Sequence, residues 1–82
     1  GSTASLEDNA FINLSIYPNP SNGIFHFSND DLIEEVTVYD VSGRRIRSNY
    51  SNNDGLIIDH TGIYFVNVIS QGQSKTFKVI VR

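Results

Sequence analysis

"GIYFVNVISQGQSKTFKVIVR", residues 62–82, is the stretch on which the fold turns. Tyr64, Val66 and Val68 alternate with Phe65, Asn67 and Ile69. After Gln71-Gly72 the alternation resumes, with Phe77, Val79 and Val81 on one face and Lys78, Ile80 and Arg82 on the other. A period of two puts successive side chains on opposite sides of a strand. Gln71-Gly72 suits a tight reversal between two such strands. The reading is an antiparallel hairpin with one apolar face. A lone hairpin is barely stable in water, so that face requires a second layer.

Upstream segments supply one. Ile12, Leu14 and Ile16 alternate with Asn13, Ser15 and Tyr17; Phe25 and Phe27 repeat the pattern, as do Val36 and Val38. Ile46 sits among arginines as a short strand with one inward contact, and Leu56-Ile57-Ile58 is a brief apolar run. The intervening "SNDD", "DVSG", "SNNDG", "DHTG" and "SQGQ" are rich in residues that tolerate turns. Gly43 fits the left-handed position of a hairpin slightly longer than the one at Gln71-Gly72. No stretch carries a convincing helical period. About seven short strands at this spacing predict an all-β, immunoglobulin-like antiparallel sandwich. Residues 1–10 are expected to be a flexible lead-in with a tag remnant, ahead of one domain over residues 11–82.

Both prolines fall in "IYPNPSNG", residues 16–23. Each fixes its own φ and disfavours helical geometry in the residue before it, here Tyr17 and Asn19. Neither can donate a ladder hydrogen bond, so a strand arriving through Ile16 must stop. Gly23 lets the chain turn into the next apolar run. The stretch reads as a rigid corner between two strands.

Composition excludes several functions. An 82-residue chain buries about 60% of its extended surface on folding, enough for one thin core and too little for a deep cleft besides. Without cysteine there is no disulfide, thiolate metal site or cysteine nucleophile. No apolar run reaches the roughly 20 residues of a spanning helix. The net charge of −3 conceals an asymmetry. Residues 1–43 hold seven acids and no base, whereas residues 44–82 hold six bases and two acids. The bases cluster as Arg44, Arg45 and Arg47, then Lys75, Lys78 and Arg82. They read either as solvated faces that discourage edge-to-edge aggregation or as a patch for an acidic partner. Nucleic acid is not expected, because the clusters lack interleaved aromatics and the chain is acidic overall.

The sequence offers little chemistry. His26 and His60 stand in no hydrolase spacing, the Asx-rich turns lack the closing glutamate of a calcium loop, and no glycine-rich phosphate loop is present. Neither enzyme activity nor a cofactor is expected.

Four segments taken together carry a resemblance: "YPNPSNGIFHF" (17–27), "VTVYDVSGRRI" (36–46), "GIYFVNV" (62–68) and "KTFKVIVR" (75–82). In this order they closely resemble the C-terminal sorting domain of the type IX secretion system of Bacteroidetes. The resemblance implies a domain carried C-terminal to a cargo domain in one precursor. That precursor crosses the periplasm and is directed through the outer-membrane translocon to the cell surface or beyond. It further implies a sortase-like cysteine peptidase that cuts upstream, and attachment components that receive the cargo. The residues it marks for partner contact are Pro18, Asn19, Pro20, Gly23, Asp40, Gly43, Arg44, Gly62, Tyr64, Lys75, Lys78 and Arg82. "GLIIDHT", residues 55–61, departs from the family's pattern and leaves the local register open. The competing reading is an accessory immunoglobulin-like module that binds carbohydrate or protein, although its candidate aromatics Tyr17, Tyr39, Tyr50 and Phe65 look scattered along the chain. A purely structural spacer is a third. Self-association through an open sheet edge is compatible with any of them.

Overall fold

A computed structural model describes residues 14–29, 33–51 and 53–82. Eight strands follow in order: β1 (Ile16–Tyr17), β2 (Ile24–Phe27), β3 (Glu35–Asp40), β4 (Arg45–Ile46), β5 (Asn49–Ser51), β6 (Gly55–Ile57), β7 (Gly62–Ser70) and β8 (Gln73–Val81). They form two four-stranded sheets, β1-β2-β6-β5 and β4-β3-β7-β8, with antiparallel pairing throughout both. This is the immunoglobulin strand order with β4 added at one edge. Eight strands stand where about seven were expected. No helix occurs among the described residues.

The long β7–β8 hairpin dominates the second sheet, with Ser70 opposite Gln73 and Gly62 opposite Val81. Gln71 and Gly72 both take positive φ, 53° and 77°, as a two-residue turn matching strand twist requires. Register then decides what is buried. Val66 and Val68 point inward with Val38, Val79 and Val81, and meet Phe25, Phe27, Leu56 and Ile58 from the first sheet's side. Phe25, Leu56, Val66, Val68 and Val79 have no exposed surface. Each such side chain contributes about 1.5–3 kcal/mol of transfer free energy. Tyr50 and Phe77 meet the edge of this core through Phe27, with centroids 5.5 and 6.4 Å away.

The open register around residues 55–61 resolves simply. Leu56 pairs with Phe25 and Tyr50, while Leu56 and Ile58 fill the core. The first strand is shorter than the alternation implied. Leu14 is buried but precedes β1, and Ile12 and the lead-in lie outside the described residues.

Candidate docking surface

The proline corner stops β1 at Tyr17, as the missing donors demand. Its path afterwards was not legible. Residues 19–21 leave the first sheet and seal one half of the outer edge of β8 (Asn19 and Pro20 are exposed, Ser21 buried). The Asn19 side chain acts as a stand-in peptide group. Its Nδ2 donates to the Lys78 carbonyl at 2.9 Å, and its Oδ1 accepts from the Ile80 N–H at 3.1 Å. Ser21 continues with backbone bonds, donating to the Ile80 carbonyl and accepting from the Arg82 N–H, both at 2.9 Å. The Ser21–Val81 bridge is parallel, an exception to the antiparallel rule. Inside the corner, the buried Ser21 Oγ donates to the Ile24 carbonyl and accepts from the N–H groups of Gly23 and Ile24. Gly23 has φ +125°, and a Cβ there would lie 2.8 Å from the Ile58 carbonyl oxygen, so no other residue fits. Asn19 and Gly23 thus have full structural employment within the chain.

Asp40 closes the β3–β4 turn. Its Oδ1 accepts from the Ser42 N–H, the Ser42 hydroxyl and the Arg44 N–H, at 3.0, 2.7 and 3.0 Å. The Ser42 hydroxyl, then the Arg44 amide, hold its carboxyl below the ordinary 3.8. Gly43 takes the left-handed φ of +87° that a three-residue hairpin loop needs. Arg44 Nε approaches Asp40 Oδ2 at 3.3 Å, yet the arginine side chain stays 80% exposed, so the pair leaves its charge in solvent. Gly62 and Tyr64 open β7. The Tyr64 ring is buried and its hydroxyl donates to the His60 carbonyl at 2.9 Å, the tyrosine corner of immunoglobulin-like sandwiches.

The outer face of the second sheet brings together what the chain keeps apart. Arg45 stands opposite Tyr39, Tyr39 opposite Phe65, and Phe65 opposite Lys78. A row of cation, aromatic, aromatic, cation therefore crosses all four strands on the side away from the core. Next to it, Ile63 and Ile80 face each other while 41% and 37% exposed. Lys78, Ile80 and Arg82 share this face, as their alternation required. Lys75 does not. Its Nζ lies 5.1 Å from the centroid of the Phe77 ring, on the side of the sheet opposite Lys78. The scattering of aromatics read from the sequence is corrected here for two of them. Tyr39 and Phe65 are neighbours, while Tyr17 lies beside His26 and Tyr50 beside Phe27 on the first sheet. Arg45, Tyr39 and Phe65 were not singled out for partner contact. Their alternation with buried Val38 and Tyr64 and half-buried Ile46 was the available signal; the pairing of β3 with β7 was not.

A hollow of about 420 Å³ lies at one end of the sandwich, lined by Asp40, Arg44, Arg47, Ile58, His60 and Tyr64 among others. Its acids and bases form no nucleophile–base pair, and no cluster of three or more metal-ligating side chains occurs among the described residues.

Residues 15–82 match the secretion system C-terminal sorting domain family, and the chain belongs to that family. The domain is a C-terminal sorting signal for type IX secretion, whose substrates reach the cell surface or the extracellular space, and the family is not a catalytic one. It acts with the type IX machinery and with an N-terminal cargo. No curated protein matches the chain.

Proposed function

We propose that the sorting signal is read chiefly on the outer face of the second sheet. Arg45, Lys78 and Arg82 supply charge there, while Tyr39, Phe65, Ile63 and Ile80 supply apolar contact. The observation that carries this reading is the row Arg45–Tyr39–Phe65–Lys78, which is continuous across four strands. Aromatic rings bury large area at low conformational cost, and cations around them set orientation and encounter rate. A preformed sheet adds little ordering cost on docking. The receptor is an acidic, partly apolar surface of the outer-membrane translocon, met from the periplasm. A sortase-like cysteine peptidase then separates cargo from domain on the N-terminal side, and attachment components receive the cargo. Pro18, Asn19, Pro20, Gly23, Asp40, Gly43, Gly62 and Tyr64 serve by holding the shape. Arg44 contributes a rim charge, and the domain performs no reaction.

The test joins residues 3–82 to the C-terminus of a periplasmic reporter in a bacterium possessing the secretion system. Deleting residues 75–82 would strip Val79 and Val81 from the core, so charge reversal is the sharper variant. Arg45→Glu, Lys78→Glu and Arg82→Glu together should lower surface arrival at least tenfold while the domain stays folded. Export at the original level by this triple variant refutes the proposed face.

A further inference from the structure

We propose that the unsealed half of the β8 edge, from Ser74 to Lys78, takes up an extended acidic segment of another polypeptide as an added strand. This deepens the docking reading above and rests on it for the setting, while the geometry stands independently. Ser70 and Gln73 close the two-residue turn, so in β8 the peptide groups of even-numbered residues face away from β7. The bonds to the corner agree: the Lys78 carbonyl, both groups of Ile80 and the Arg82 N–H are the ones taken. The N–H and carbonyl of Ser74, those of Thr76, and the Lys78 N–H have no partner among the described residues. Five unpaired groups along one strand edge make a ready template for strand addition.

The occupant follows from charge. Residues 62–82 contain three bases and no acid. Lys75 flanks the open stretch on the core side of the sheet, and Lys78 flanks it on the outer side. A second copy is a poor match. The antiparallel register that uses all four groups of Ser74 and Thr76 would set Lys75 directly against Lys75 of that copy, and like charges in that position repel. A strand carrying glutamate or aspartate at alternate positions meets a lysine on whichever face its acids point.

The probe is an acetylated, amidated heptapeptide alternating glutamate with valine, titrated into the chain and followed by amide NMR. Saturable shifts at Ser74, Thr76 and Lys78 are expected, with Ile80 and the core amides still. Replacing every glutamate by lysine should weaken binding at least tenfold, and Lys75→Glu with Lys78→Glu should invert that preference. Thr76→Pro removes one outward N–H without touching the β7 ladder and should weaken binding at least tenfold; should it unfold, the charge inversion decides alone. No shift at millimolar peptide, shifts centred on Phe65, or equal binding of both peptides would overturn the proposal. So would concentration-dependent shifts at Ser74 and Thr76 without peptide, which would hand the edge to a second copy. If the unaltered reporter fusion is exported and the acidic peptide fails to bind, the edge inference falls while the sorting role stands.

Discussion

The two halves of strand β8 share one sheet and one partner strand, yet their common outer edge is covered along one half and open along the other. From Lys78 to Arg82 the edge is sealed by four hydrogen bonds from Asn19 and Ser21. From Ser74 to Thr76 the outward peptide groups have no such cover among the described residues. What separates the halves is a segment roughly sixty positions earlier that happens to end beside one of them. Edge protection here is a tertiary property, supplied by one asparagine side chain and one serine backbone.

Breaking the seal from inside should have the largest effect. Ser21→Ala removes the hydroxyl that organises Gly23 and Ile24 and strands the buried Gly23 N–H, costing about 2–3 kcal/mol in urea unfolding. Asn19→Ala removes two bonds at an exposed edge and should cost about 1–2 kcal/mol. Its sharper readout is hydrogen exchange. In the unaltered chain the Ile80 amide should exchange at least tenfold more slowly than that of Thr76, and Asn19→Ala should erase the difference. Equal rates before substitution would mean that the two halves are not distinct. Tyr64→Phe, away from the edge, should cost about 1 kcal/mol through the lost bond to His60 and leave both exchange rates unchanged.

The smallest effect concerns Asp40. Its carboxyl is held below 3.8 in the folded chain, so the unfolded chain takes up the proton first as pH falls. The associated stability is complete well above pH 3.8 and is lost as pH drops through the folded value. Asp40→Asn should therefore be less stable than the unaltered chain at pH 7, and the gap should narrow near pH 3. Urea midpoints at the two pH values check this, and a gap that widens on acidification would contradict it.

Much of this molecule was legible in advance because its signals are local. The alternation of Tyr64, Val66 and Val68, the Gln71-Gly72 reversal, the stop at Pro18 and the left-handed Gly43 each depend on a few adjacent residues. The bonds of Asp40 are local too, since an Asx residue reaches amides two and four positions on, although the resemblance marked it only for partner contact. The row of Arg45, Tyr39, Phe65 and Lys78 was not legible. Alternation shows that Tyr39 and Phe65 face away from the core, and nothing short of the β3–β7 register shows that they stand opposite each other.

By itself the sequence determined most of the strands, their inward faces and the turns between them, because steric preference and hydrophobic alternation act over a handful of bonds. The short β5 carries too little apolar alternation to show itself. Only the tertiary structure decided which strands became neighbours, that Asn19 would cover the end of β8, and that two aromatic rings and two cations would form one row. Those outcomes depend on pairing segments distant in the chain, and pairing is selected by the packing of the whole core.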